Sequence, residues 1–161
     1  MTIRIKLSDY GKTGFQKILG HNSKILDRWN ELDEALFTET NLEPDLLEQV
    51  RRVMAFENKC EYCMVKGGRS EIRKENSRSR IALAAAFADL FVKDHLSISQ
   101  SHFEILKEEF NDKEISELCA FIAFTSASQK IGRIFNLTED YQLNRVTTMK
   151  ELNEAHSEES K

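Results

Sequence analysis

Between residues 23 and 135, apolar side chains recur at spacings of three and four, and that period constrains the fold more than any other feature. Ile25, Leu26, Trp29, Leu32, Leu36 and Phe37 form the first stripe, behind Asn22 or Ser23 as N-cap. Residues three or four apart share one face of an α-helix, so the stripe predicts an amphipathic helix. Pro44 suits the first turn of the next helix, where a backbone N–H would have no partner in any case. Leu46, Leu47, Val50, Val53 and Met54 form its apolar face. Asn58 reads as a break and a new N-cap, with Glu61 as its capping-box partner. Gly67-Gly68 ends that short helix. Ile81, Leu83, Ala84, Ala85, Phe87, Ala88, Leu90 and Phe91 are apolar on most sides and predict a central, buried helix. Phe103, Ile105, Leu106 and Phe110 make a short amphipathic helix. Asp112 caps a long one carrying Ile115, Leu118, Cys119, Ile122, Ala123, Ile131, Ile134 and Phe135.

The first twenty residues follow a different pattern. Ile3, Ile5 and Leu7 alternate as in a strand, but no second alternating run follows for it to pair with. An extended arm is expected, with a neighbouring subunit as one place for it to lie. Phe15, Ile18 and Leu19 begin a short helix. Six glycines and one proline are too few for a loop-rich or all-β chain. The expected class is all-α, a multi-helix bundle with short connections. At 161 residues, one domain spanning 1–161 is expected. Its core would be roughly 19–137, with residues 1–18 as an arm and a polar C-terminal segment over 138–161.

Composition excludes several classes of function. A formal charge of −4 lacks the basic footprint of a nucleic-acid binder. No stretch approaches the roughly 18 apolar residues of a membrane span. The charged start, with Arg4 and Lys6, has no apolar run behind it and does not read as a secretory leader. Three cysteines, two of them in Cys-x-x-Cys, suggest a redox or metal motif in the cytoplasm, not a disulfide scaffold.

Cys60 and Cys63 are where the sequence offers chemistry. Thiols three residues apart on a helix share a face. Near a helix start, unpaired N–H groups favour the thiolate, which is the reactive form. Basic residues dominate the segment that follows: Lys66, Arg69, Arg73, Lys74, Arg78 and Arg80, against Glu71 and Glu75. Two unreactive thiols, or a zinc site, are the alternatives. Zinc needs two more ligands, and neither Cys119 nor any histidine has ligand spacing. Cys119 lies in an apolar stripe and reads as core. His21 caps or packs at a helix start, while His95, His102 and His156 have no partner pattern. Glu48, twelve residues ahead of Cys60, is either a solvated helix position or a proton acceptor for the thiols. A straight antiparallel hairpin would leave Glu48 and Cys63 out of level, because each residue advances a helix by about 1.5 Å.

Residues 48–67 resemble the alkylhydroperoxidase D/carboxymuconolactone decarboxylase family. Its redox-active branch carries a Glu, eleven residues, Cys-x-x-Cys, three residues and a His, which here align with Glu48, Cys60, Cys63 and Gly67. Leu19-Gly20-His21-Asn22, the segment from Ala84 to His95 and the run Asp112-Lys113-Glu114-Ile115-Ser116-Glu117-Leu118 extend the likeness over roughly residues 19–137. The resemblance implies an alkylhydroperoxidase D-like helical bundle and a thiol-dependent hydroperoxide reductase. Cys63 would attack the peroxide, Cys60 would resolve the sulfenic acid as a disulfide, and Glu48 would be the base of a proton relay. Gly67 stands at the family's relay histidine, and a histidine there is expected to restore the relay. Tyr62, where some members carry another histidine, and Lys66, beside the vacant position, are accessory candidates. An ammonium does not readily accept a proton at neutral pH, so Lys66 is a poor substitute. The resemblance implies no metal, haem or flavin, an external dithiol reductant, and a homo-oligomer (dimer, trimer or hexamer). The broad apolar faces of the helices around 81–91 and 112–135 also ask for a covering subunit. Two other readings remain: a redox-impaired binding or interaction protein on the same scaffold, and a lyase like the family's other branch.

Overall fold

The computed structural model describes residues 2–72 and 79–138, and every regular element among them is helical. The helices are α1 (Gly14–Leu19), α2 (Ser23–Thr38), α3 (Pro44–Glu57), α4 (Glu61–Gly67), α5 (Arg80–Asp94), α6 (Gln100–Leu106) and α7 (Asp112–Ile134). A 3-10 turn, His95–Ser97, links α5 to α6. No described helix is long and apolar enough to cross a membrane. Arg73, Lys74, Glu75 and Arg78 of the basic segment, and the polar tail from residue 139 with His156, lie outside the described residues.

Most helix starts carry the side chains their sequence announces. Asn22 accepts from the Ile25 N–H at 3.3 Å, and Pro44 opens α3. Two boundaries differ from expectation. Asn111, not Asp112, caps α7: its Oδ1 accepts from the Glu114 N–H at 2.9 Å, and Glu114 Oε2 accepts from the Asn111 N–H at 2.9 Å. Asn58 caps no new helix. It ends α3, with its N–H donating to the Met54 carbonyl, and Lys59 follows in the left-handed region at φ 51°. A residue in that conformation stops a helix and turns the chain, so the N-cap of α4 is Cys60 itself.

The hub of the bundle is α3, against which α4, α5 and α7 pack. Leu46, Leu47, Val50 and Met54 on α3 are fully buried against Ala84, Phe87 and Ala88 of α5 and Leu118, Phe121 and Ile122 of α7. The expectation of a central α5 is therefore corrected. Only its Ala84–Ala85–Phe87–Ala88 face is buried, and Ala86 is exposed. An alanine face lets a neighbour approach closely and leaves little apolar area to cover elsewhere. Phe110 lies beyond the end of α6, buried under the Arg80 guanidinium at 4.3 Å from its ring centroid.

A second, smaller core holds the cysteines. Ile18, Cys60, Tyr62 and Leu137 are buried there, with Ile3, Leu7, Phe15, Ile131 and Phe135 packed around them. The N-terminal arm thus lies on its own chain. The Arg4 N–H donates to the Phe135 carbonyl at 3.1 Å, Arg4 Nη1 to the Ile134 carbonyl at 2.7 Å, and His21 Nε2 to the Lys6 carbonyl at 2.8 Å. It closes over the end of α7 and the small core around Cys60.

Arg80 joins three helix starts. It donates to Glu43 ahead of α3, to Glu114 Oε1 in α7 at 2.9 Å, and to the Glu109 carbonyl. The Asn111 backbone N–H, then Arg80, hold the Glu114 carboxyl below its ordinary range despite the opposing effect of burial. A depressed carboxyl stabilises the fold above its unfolded pKa, and this contribution is lost as pH falls through the folded value. Arg80→Gln is expected to lower stability by about 1–2 kcal/mol at neutral pH and by less in acid, read from urea melts at both.

Candidate active site

The turn after α3 builds the site. With Lys59 left-handed, the Cys60 N–H donates back to the Ala55 carbonyl at 3.1 Å, which aims Cys60 into the bundle. Its sulfur accepts from the Cys63 N–H at 3.3 Å. The two cysteines are joined in a disulfide, with Cα atoms 5.2 Å apart. They are unequal in exposure: Cys60 is 0% exposed, whereas Cys63 is half-buried and lines a cavity.

Behind the bridge lies Gly132 of α7. A Cβ there would sit 2.9 Å from Cys60 Sγ and 3.9 Å from Cys63 Sγ. The missing side chain is what lets the helix backbone close over the disulfide. Three buried or half-buried side chains hold α7 in that place. Asn58 Nδ2 donates to Gln129 Oε1 at 2.9 Å and to Ser126 Oγ at 3.3 Å, and Gln129 Nε2 donates to the Arg51 carbonyl at 2.9 Å.

In front of Cys63 opens a cavity of about 510 Å³. Phe15, Trp29, Phe37 and Phe124 line one side of it, with Trp29 and Phe124 ring centroids 4.8 Å apart. Four charged side chains share the lining: Asp33 from α2, Glu48 and Arg51 from α3, and Lys66 from α4. Tyr62, 8% exposed, reaches the same space. The fold thus brings Glu48, Tyr62, Cys63 and Lys66 to one cavity, with Cys60 behind it. The level mismatch of a straight hairpin does not arise, because the left-handed turn redirects α4 across α3.

Glu48 is fully engaged. Arg51 grips it with Nε to Oε2 at 2.8 Å and Nη2 to Oε1 at 2.6 Å, and Arg52 Nε adds a third bond at 3.0 Å. Partial burial pushes this carboxyl up, but the combined bonds and charges of Arg51 and Arg52 outweigh it, and Glu48 titrates below its ordinary range. Arg52 continues to Glu71 Oε1 at 3.0 Å, while Gln49 Oε1 accepts from the Glu71 N–H at 2.8 Å. The strand of chain after α4 is pinned to α3 by these bonds.

Gly67, one helical turn after Cys63, explains the vacant histidine position. A Cβ at 67 would run into Arg51 Nη2 and lie 3.0 Å from Cζ. The guanidinium occupies the volume a side chain would need. A histidine at 67 therefore meets the flexible end of Arg51, and that guanidinium is the group that has to move. Gly67→His is expected to push Arg51 off Glu48, to cost about 1–3 kcal/mol, and to leave any peroxide rate no higher. Melts and rate measurements on the same variant check this, and a faster enzyme with an unchanged melt would count against it.

Sequence reasoning missed Asp33, Arg51, Gln129 and Gly132. Asp33 is open to solvent yet recessed among protein atoms. Burial raises its carboxyl, and Lys66 and Arg51 only partly offset this, so it titrates above its ordinary range. Arg51 had a signal: it lies one turn after Glu48, where opposite charges pair. Cys119 belongs to the main core, away from the pair, and burial pushes its thiol up. His102 serves as the capping partner of Ser99.

No protein-family model matches the sequence, and no curated protein is significantly similar to it. Solved structures do match. An uncharacterized peroxidase-related protein from Silicibacter sp. TM1040 superposes with a TM-score of 0.68 at 19% identity, over 78% of this chain and 75% of that one. A second, described as an alkylhydroperoxidase AhpD core and uncharacterized peroxidase-related protein from Ralstonia eutropha JMP134, has a TM-score of 0.64 at 19% identity, over 75% of this chain and 73% of that one. This chain therefore has the alkylhydroperoxidase D-like fold.

Proposed function

We propose that this protein is a thiol-dependent hydroperoxide reductase. One observation carries the reading: an accessible Cys63 opens onto a cavity, bonded to a Cys60 that solvent cannot reach. That asymmetry suits a division of labour. The Cys63 thiolate attacks the terminal peroxide oxygen, an S–O bond forms, the O–O bond breaks, and an alcohol leaves. Cys60 then attacks the sulfenic acid, forming the disulfide and releasing water. A dithiol donor returns both cysteines to thiols, and a reducing cytoplasm is the compartment that suits this cycle. Glu48 is ionised, and its part is to fix Arg51 over the position one turn from Cys63, where a guanidinium offsets anionic charge on sulfur. Tyr62 and Lys66 shape the cavity around it.

The test is stoichiometry. Reduced protein should consume one equivalent of cumene hydroperoxide, lose two thiols, and turn over only when a dithiol is supplied. Thiols that survive excess hydroperoxide would overturn the reading. A second reading has one observation in its favour. An aromatic-sided cavity with Gly67 where the relay histidine belongs suits a small-molecule binding protein that keeps the scaffold.

Assembly is part of the proposal. Ile25 and Leu32 are 52% and 49% exposed, two turns apart on α2, with Trp29 between them. That apolar stripe suits a contact with a second copy, and closed symmetry is the default for such contacts. A homo-oligomer (dimer, trimer or hexamer) is expected by light scattering at low micromolar concentration. A mass near 18.6 kDa would rule it out.

A further inference from the structure

The redox cycle proposed above needs a group that handles a proton, and the cavity holds two carboxylates. Glu48 is poorly placed for that task. Both its oxygens accept from guanidinium groups, at 2.6 to 3.0 Å, and protonating it would break those bonds. Position 67 is a glycine, with the Arg51 guanidinium in the space its side chain would take. Asp33 differs in each respect. It enters the same cavity from α2, and among the described residues neither of its oxygens accepts a hydrogen bond. The cations that act on it are Lys66, three residues after Cys63 on α4, and Arg51.

We infer that Asp33 is the proton carrier of the Cys63 reaction. As a carboxylate it takes the proton of the Cys63 thiol, directly or through a water in the cavity. The thiolate then attacks the hydroperoxide. Sulfur is oxidised by two electrons, the O–O bond takes them up, and protonated Asp33 returns its proton to the departing alkoxide. The net change is one thiol and one hydroperoxide converted to one sulfenic acid and one alcohol, with Asp33 unchanged. A carboxyl raised by burial is better matched to this exchange near neutral pH than one held down by two arginines. Among the described residues, the other charged or titratable groups lining the cavity with Cys63 are Glu48 and Arg51 on α3 and Tyr62 and Lys66 on α4. The α1 and α7 sides present only uncharged groups to the cavity.

The inference rests on the peroxidase reading, and two measurements separate their fates. The first is the alkylation rate of Cys63 by iodoacetamide against pH, mapped by mass spectrometry in a Cys60→Ser background. Thiol and carboxyl should titrate as a coupled pair, giving two inflections. Asp33→Asn should remove the acid-side inflection and move the thiolate step to lower pH, because a negative neighbour has been lost. The second is sulfenic acid formation with cumene hydroperoxide. Asp33→Asn should slow it by about 10- to 100-fold, and Asp33→Glu should recover part of the rate. Asp33 is solvent-accessible, so the Asn variant should fold, with a melting temperature no lower than the parent's. An alkylation profile unchanged by Asp33→Asn overturns the inference whatever the peroxide rate. A parent protein that alkylates normally but ignores hydroperoxide overturns the peroxidase reading instead, and the alkylation profile still decides on Asp33.

Discussion

Cys63→Ser is expected to abolish hydroperoxide reduction, a loss of at least about a thousandfold, because no other thiol opens onto the cavity. Cys60→Ser should behave differently. Its Cys63 should still react once with peroxide and stop at a sulfenic acid, since the resolving sulfur is gone. A dimedone-type probe should label that variant and leave the Cys63→Ser variant unlabelled. The structural basis is the burial difference between the two sulfurs. Cys119 should stay unlabelled in both, because burial keeps its thiol protonated and it belongs to the other core. Equal labelling of the two variants would remove the division of roles, and labelling at Cys119 would move the redox site altogether.

The second large effect is expected at Gly132. Glycine inside an exposed helix is usually a weakness, and replacement by alanine gains roughly 0.5–1 kcal/mol. At position 132 the sign should reverse. The new Cβ would lie 2.9 Å from Cys60 Sγ, inside normal contact, so α7 must move off the disulfide. Overpacking of this kind costs about 1–3 kcal/mol. The displacement would also strain the Asn58–Gln129 bond and the Gln129 bond to the Arg51 carbonyl. Urea melts of Gly132→Ala, Cys60→Ala and the double variant form a cycle. Removing the sulfur should relieve much of the penalty. A stabilised Gly132→Ala, or additive single effects, would show that the close approach is not what this glycine provides.

The helices were legible because their causes are local. Periodic stripes, Pro44, Asn22 and the glycines at 67 and 68 act within a turn or two of where they stand, and the structure places helices there. Boundaries were legible less well, for a definite reason. Asn58 and Asp112 are both good N-cap residues, and only the neighbouring backbone decides which residue caps. Lys59 entered the left-handed region and passed the cap to Cys60, while Asn111 found a reciprocal partner in Glu114. Helix α5 looked central because apolarity counts residues and not their size. Its alanines pack closely on one side, and the larger leucines and methionine of α3 make the hub.

For the site, the sequence by itself determined which two sulfurs could pair, because three-residue spacing on one turn needs no long-range information. It could not decide which sulfur is reachable. That depends on α7 and the N-terminal arm, both far away in the chain, closing over Cys60 and leaving Cys63 open. Nor could it settle the state of Glu48. Its pairing with Arg51 follows from a local spacing, but the weight of that pairing comes from partial burial and from Arg52 bridging to Glu71. Asp33 was invisible for the same reason. It lies thirty residues before Cys63, a carboxylate within the apolar stripe of Trp29, Leu36 and Phe37, and nothing in the chain ties it to the cysteines. Only the tertiary fold brings that carboxyl to the cavity that Cys63 lines, where surrounding protein atoms raise it and Lys66 and Arg51 partly offset this.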